Sequence, residues 1–130
     1  MGVLPPGELA EFRALLIDRI YQLFQSVHRD IREATARDVA VEHADPRDEG
    51  DEALEEQLQD LQTSLDERDA ELAQAMEVAL QRIRSGEYGM CIECDRPIEP
   101  ERLRAVPWAI RCFEDQEAFE QRHEVHPPTM

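Results

Sequence analysis

The sequence contains no lysine, so all 14 of its basic side chains are arginines, and 30 acidic residues outnumber them. The resulting formal net charge of −16 at pH 7 repels the phosphate backbone of nucleic acids. This charge argues against direct DNA binding. Protein partners, cations, or basic clefts on larger assemblies remain as binding targets.

Aromatic residues and long hydrophobic runs are also scarce. Aromatics make up 5% of the 130 residues and hydrophobic residues 42%, a composition that favours long amphipathic helices over a thick globular core. No run approaches the roughly 18 apolar residues of a membrane span. Residues Met1 to Gly7 lack the charged and apolar regions of a signal peptide. We therefore expect a cytoplasmic protein with no membrane partner.

Two apolar stripes with helical spacing predict a long antiparallel helical hairpin, or coiled coil, in a mostly α-helical fold. The first helix is expected from about Glu8 to the early forties and the second from Asp51 to Ser85, with Pro46 and Gly50 in the turn between them. The first stripe consists of Leu9, Phe12, Leu16, Ile20, Leu23, Val27, Ile31 and Ala34. The second consists of Leu54, Leu58, Leu61, Leu65, Leu72, Met76, Ala79 and Ile83.

The outer face of the second helix is strongly acidic, and we interpret most of its carboxylates as a solvated surface. Gly86 is suited to a left-handed cap at the end of this helix. After this helix the sequence pattern changes to short apolar segments with prolines and cysteines. A short C-terminal helix is predicted from Cys112 to Arg122, with Phe113 and Phe119 packed inward. The predicted parts are an N-terminal extension (1–7), the hairpin (8–85) with its tip near 44–53, a zinc-finger-like module (86–122) and a tail (123–130).

Three cysteines are an odd number for a disulfide framework, so metal or redox chemistry is the first expectation. Cys91 and Cys94 form a Cys-x-x-Cys knuckle, and 17 residues separate Cys94 from Cys112. Asp115 stands where a second Cys-x-x-Cys pair would be completed, so the spacing fits a structural zinc site with three thiolates and one harder oxygen donor. His123 and His126 are other candidate ligands, and packing without a metal on Ile98, Trp108 and Phe113 remains an alternative. A redox thiol pair is disfavoured because no strand and helix frame the cysteines.

The residues of this module resemble the DksA/TraR family of bacterial RNA polymerase-binding transcription regulators. The resemblance is carried by a long hairpin and, after it, the motif Gly86-x-Tyr88-Gly89-x-Cys91-x-x-Cys94, then Pro97-Ile98, Arg102-Leu103-x-Ala105-x-Pro107 and Cys112. It covers nearly the whole chain. It implies a non-catalytic regulator that inserts its hairpin into the secondary channel of RNA polymerase and modulates initiation. A structural coiled-coil adaptor, and a zinc-dependent or redox protein without polymerase binding, are the alternatives.

In this family the hairpin tip carries the pattern Asp-x-x-Asp-x-Ala and approaches the catalytic centre of the polymerase. The segment Asp48-Glu49-Gly50-Asp51-Glu52-Ala53 matches it, which makes Asp48, Asp51 and Ala53 the candidate residues for that role. Carboxylates at the hairpin tip could interact with a metal-bound active centre, because oxygen ligands suit Mg²⁺.

The sequence departs from the family pattern at the module and at the alarmone site. Asp115 replaces the usual fourth cysteine, and Asp95 stands where a glycine often follows the first knuckle. The positions that align with the basic residues used for ppGpp are Ala75, Val106 and Gln116, none of which is cationic. Because phosphate binding needs cationic or amide donors, the loss of all three positive side chains weakens the case for synergy with ppGpp.

Overall fold

A computed structural model of the protein describes residues 4–35 and 50–123. Across these ranges the regular structure is helical, apart from an isolated antiparallel bridge between Met90 and Pro97. The helices are α1 (Pro6–Thr35), α2 (Asp51–Gln62), α3 (Glu67–Ser85), α4 (Pro100–Ala105) and α5 (Phe113–His123). The predicted class is confirmed: a mostly α fold with a helical hairpin, a small module and a short C-terminal helix. Within the described ranges, none of the helices combines the length and apolarity needed to cross a membrane.

Helices α1 and α3 lie antiparallel and share the main core. Leu23 of α1 lines a small cavity together with Leu72 and Met76 of α3. At the other end, the Phe12 ring lies 6.3 Å from the ring of Tyr88, which follows α3. Residues of the predicted stripes fill this core: Phe12, Leu16, Ile20, Leu23, Met76 and Ala79 are buried, and Val27, Leu61, Leu65 and Leu72 are partly buried against them.

The second predicted helix is not continuous. The expectation of one helix from Asp51 to Ser85 is wrong at residues 63–66, where α2 ends and α3 begins. Thr63 Oγ1 and Ser64 Oγ donate to backbone carbonyl oxygens of the last turn of α2, each at 3.0 Å. Asp66 caps α3 by accepting from the backbone N–H of Asp69 at 2.8 Å. Short polar side chains that bond the backbone can stop a helix without glycine or proline.

Helix α2 folds back along α3. Gln62 at the end of α2 donates to Glu77 at 2.9 Å, while Glu55 near its start accepts from Arg84 near the end of α3 at 2.6 Å. These two contacts fix an antiparallel arrangement. Leu54 and Leu58 are fully buried in it, and Glu55 is 7% exposed rather than part of a solvated acidic face.

The end of α3 follows the sequence prediction. Gly86 adopts the left-handed conformation (φ 81°) and its N–H bonds the carbonyl oxygens of Arg82 and Ile83. A residue with a Cβ is strained at such a φ, whereas glycine is not. The cap turns the chain directly into the cysteine module.

Candidate functional site

The first knuckle of the module carries Cys91 and Cys94 in a tight backbone turn. Cys91 N–H donates to the Arg96 carbonyl at 2.8 Å, and Asp95 N–H donates back to the Cys91 carbonyl at 3.1 Å. The backbone N–H of Glu93 also points at Cys91 Sγ, at 3.4 Å. These bonds direct both sulfur atoms to one side of the turn, with Cys91 buried and Cys94 exposed.

Asp95 adopts the left-handed conformation, with φ 59°. This is the position where the family pattern often has glycine. Aspartate is one of the few residues with a Cβ that tolerates this region, because its short side chain can bond locally. The departure at Asp95 therefore leaves the turn of the first knuckle intact.

The second half of the cluster comes from the start of α5. Cys112 precedes the helix and its carbonyl accepts from Gln116 N–H at 2.8 Å. Asp115 lies in the first turn of α5, three residues after Cys112, so both side chains face the same way. A backbone bond from Ile92 N–H to the Ile110 carbonyl, at 2.9 Å, holds this half against the first knuckle.

The four predicted ligands converge. Their ligand atoms all lie within 4.8 Å of one another: Cys91, Cys94, Cys112 and Asp115. Asp115 Oδ2 lies 3.1 Å from Cys91 Sγ and 3.3 Å from Cys112 Sγ, and the Sγ atoms of Cys94 and Cys112 are 4.0 Å apart. Tetrahedral zinc with Zn–S bonds of about 2.3 Å would separate its ligand atoms by about 3.8 Å. The donor set and spacing are thus compatible with zinc binding.

The carboxylate and the thiols of the cluster polarise one another. Hydrogen bonds from the thiols, that of Cys94 foremost, hold the pKa of Asp115 below its usual range. The same bond to Asp115 raises the pKa of Cys94 to about 12. Asp115 is accordingly a charged oxygen donor at neutral pH, which is the form that ligates a metal. Of the alternative ligands, His123 is the last residue of α5, and His126 lies outside the described residues.

Buried groups around Tyr88 support the module. Its hydroxyl donates to the Pro107 carbonyl at 2.7 Å, and burial raises its pKa. Leu103 and Ile98 are buried beside it in the same core. Phe113, which the sequence pattern placed inward, is 60% exposed, so the prediction of its inward packing is wrong. The amphipathic pattern of α5 is too short to orient that first residue.

The acidic segment is only partly described. Asp48 lies outside the described residues, while Asp51 and Ala53 occupy the first turn of α2. Asp51 pairs with Arg13, in the second turn of α1 and next to Phe12. A continuous hairpin with its tip near 44–53 would place Asp51 far from the module, and this placement is wrong for the conformation described, because α2 folds back and brings its start to the module end of α1.

The three positions aligned with an alarmone site line one groove between α3, the module and α5. Ala75 and Val106 offer no side-chain donor, and the Gln116 amide donates to Glu120 at 3.0 Å. Sequence reasoning missed three arginines that line the same groove, namely Arg68, Arg102 and Arg111. Two of them are engaged: Arg102 donates to the Arg111 carbonyl at 3.1 Å, and the Arg111 guanidinium stacks on Phe119 at 3.8 Å. Because these three arginines are far apart in the sequence, no local pattern predicts that they line one groove.

Known proteins share both the module and the wider fold. The family model for the prokaryotic dksA/traR C4-type zinc finger matches residues 86–121. The RNA polymerase-binding transcription factor DksA of Caulobacter vibrioides (strain NA1000 / CB15N) is 39% identical over 88 residues, which are 65% of this chain and 57% of that protein. General stress protein 16O of Bacillus subtilis (strain 168) is 38% identical over 63 residues, or 48% of this chain and 39% of that protein. The chain thus spans little more than half the length of the Caulobacter relative.

The similarity to a solved structure extends over most of both chains. Transcription factor DksA2 from Pseudomonas aeruginosa matches with a TM-score of 0.58 and 31% identity, covering 92% of this chain and 88% of that one. This match includes the helices as well as the cysteine module. With the motif, the ligand cluster and the helical fold in agreement, the chain belongs to the DksA/TraR family of transcription factors.

Proposed function

We propose that this protein is a transcription regulator that binds RNA polymerase and modulates initiation by contact rather than by catalysis. The observation that carries the proposal is the similarity to DksA2 over 92% of the chain, which joins the module and the helices in one arrangement. The Caulobacter relative is named as an RNA polymerase-binding factor. A surface of net charge −16 suits basic clefts of a large enzyme and disfavours a role as a free DNA-binding protein.

In this proposal the module is structural. Cys91, Cys94, Cys112 and Asp115 would hold zinc, which supplies a cross-link between the first knuckle and the start of α5. The chain's own bonds across the same junction, such as Ile92 to Ile110, orient α5 against the module. The module then offers a rigid base for the helices.

The acidic segment would act on the polymerase. Family resemblance assigns Asp48, Asp51 and Ala53 to the part that enters the secondary channel and approaches the active centre. Carboxylates suit that role because they can ligate Mg²⁺ or pair with basic groups around it. We propose a weak response to ppGpp, since Ala75 and Val106 cannot bind phosphate through their side chains.

A transcription assay tests the role of the acidic segment. At a promoter with short-lived open complexes, wild-type protein should alter initiation, and the double variant Asp48→Asn/Asp51→Asn should fail to do so at saturating concentration. The matched control Asp18→Asn/Asp60→Asn removes two exposed carboxylates elsewhere and should act like wild type. Equal regulation by the first double variant and wild type would refute the role of the acidic segment.

A further inference from the structure

The start of α2 is held by arginines in the conformation described. Asp51 pairs with Arg13 of α1. Arg84 of α3 forms a two-pronged contact with Glu55, at 2.6 and 3.2 Å, and lies 3.6 Å from Glu52. All three acidic side chains therefore face cations on neighbouring helices. Asp51 and Glu55 are largely covered by these contacts, whereas the Glu52 side chain stays 82% exposed.

The turn that permits this arrangement is weakly encoded. Neither glycine nor proline occurs between residues 51 and 85. The apolar spacing of a helix also continues through the turn, at Leu58, Leu61 and Leu65. The turn depends instead on side-chain bonds from Thr63, Ser64 and Asp66 to the local backbone. Such bonds compete with helix formation and do not forbid it.

We propose that α2 is a switchable, autoinhibitory element. In the bent state described above, residues 51–62 lie on α3 and Arg13 holds Asp51. In a straight state, residues 63–66 become helical and join α2 to α3 in one helix of about 35 residues, about 52 Å long. Straightening moves Asp51 from the module end of α1 to the far end of that helix. The consequence for transcription rests on the proposed function, because the straight state is the one that would present Asp51 to a polymerase.

The bent and the straight state rely on different interactions. The bent state buries Leu54 and Leu58 completely and pairs Glu55, whose side chain is 9% exposed, with Arg84. A carboxylate buried to that degree needs its partner, so loss of Arg84 destabilises the bent state in particular. The straight state gains helical hydrogen bonds at 63–66 and frees the charged groups to water. A partner that binds only the straight state would shift the population toward it.

The distance between α2 and the end of α3 reports the state directly. Spin labels attached through p-acetylphenylalanine at Glu56 and Ser85, both exposed, leave the native cysteines untouched. In the bent state these sites lie on adjacent helices whose axes are about 10 Å apart. In the straight state about 29 helical residues separate them by about 44 Å. On the full chain, dipolar broadening of the continuous-wave spectrum reports the short distance and double electron–electron resonance reports the long one.

Variants of the turn should move the population in opposite directions. Thr63→Ala/Ser64→Ala/Asp66→Ala removes the side chains that stop the helices and should replace the short distance by the long one. Glu67→Pro should restore the short distance in that background. Proline fits the first position of α3, and Asp66 already has the extended backbone (ψ 171°) preferred before proline. In the straight state the same proline lies inside a helix and disfavours it by about a hundredfold. Glu67→Ala is the matched control and should leave the long distance in place.

The result that overturns the inference is a short distance in the triple-alanine variant, which would show that the turn is not switchable. A long distance in the wild-type protein and in every variant would equally overturn it, because α2 would then never fold back. Polymerase is absent from this measurement. A chain that switches but does not bind polymerase would contradict the proposed function alone.

Discussion

Asp115 distinguishes this module from one with four thiolates. Its carboxylate lies 3.1 and 3.3 Å from the sulfur atoms of Cys91 and Cys112, so it stands in the position of a fourth ligand. Oxygen is a harder donor than thiolate and suits zinc less well in a sulfur-rich site. The site should therefore bind zinc, and bind it less tightly than a four-cysteine site.

Substitutions at Asp115 test this arrangement. Purified wild-type protein should contain close to one zinc ion per chain by elemental analysis. Asp115→Cys should retain zinc at chelator concentrations that strip the wild type, and Asp115→Ala should lose it because only three ligands remain.

The neighbouring Glu114 offers a matched control, since its side chain is exposed and outside the cluster. Glu114→Ala removes a carboxylate from the same turn of α5 and should keep the wild-type zinc content. Zinc-free wild-type protein whose melting temperature is unchanged by chelators would contradict the metal assignment.

Tyr88 is the second residue with a measurable signature. Burial raises the pKa of its hydroxyl, which therefore stays neutral in the folded state above its ordinary value of about 10. The stability gained by keeping it neutral is fully present below that value and is lost as the pH rises above it. At pH 7, Tyr88→Phe should cost about 1–2 kcal/mol, because the Pro107 carbonyl loses its donor. At pH 11 the difference between variant and wild type should shrink by about 1.4 kcal/mol.

Urea unfolding at the two pH values measures this change. A pH-independent cost for Tyr88→Phe would show that the buried hydroxyl does not control alkaline unfolding.

Residue spacing was enough to predict that the four candidate ligands converge, because Cys91, Cys94, Cys112 and Asp115 follow the register of a two-knuckle site. Residue spacing was not enough to predict the burial of Glu55, because the sequence pattern assigns this residue to the acidic, solvated face of the helix. Its burial depends on Arg84, 29 residues away, and no local signal indicates a contact at that separation. The prediction that Phe113 packs inward was wrong for a related reason, since the exposure of this side chain depends on where α5 contacts the module.

At the scale of helices, burial separates residues that look alike in the sequence. Leu16 is fully buried, whereas Leu65 lies in the turn between α2 and α3 and is partly buried. Leu16→Ala should cost about 2–5 kcal/mol in the free energy of unfolding, and Leu65→Ala should cost clearly less, because its neighbours enclose it less completely.

Chemical unfolding monitored by circular dichroism gives both values, and Phe113→Ala provides an exposed control with an effect within about 0.5 kcal/mol. If Leu65→Ala proved as costly as Leu16→Ala, Leu65 would lie in a closed seam, as the sequence pattern alone predicted.

The break between α2 and α3 shows where periodicity stops being informative. The stripe at Leu58, Leu61 and Leu65 is the same whether the helix continues or turns. Two kinds of interaction decide whether the helix continues or turns. The first is the set of hydrogen bonds from Thr63, Ser64 and Asp66 to the local backbone, and the second is the packing of Leu54 and Leu58 on α3. That balance involves tertiary contacts, so the sequence pattern could predict the helical class and the Gly86 cap but not the fold-back.

For the whole molecule, charge and family point to the same kind of partner. A chain of net charge −16 is attracted to basic clefts and repelled by nucleic acid. Its similarity to DksA2 covers 92% of its length and includes both the helices and the module. Attraction of this kind weakens as salt screens the charges.

Direct binding to RNA polymerase tests the central claim. The full chain, labelled at its N-terminus, should bind purified polymerase saturably in fluorescence anisotropy, with weaker binding at higher salt, and unlabelled protein should displace it. Asp48→Asn/Asp51→Asn should still compete, and an unrelated basic protein at the same concentration should not give saturable binding. Absence of saturable binding to polymerase at low salt, or equal binding to the basic control, would contradict the account.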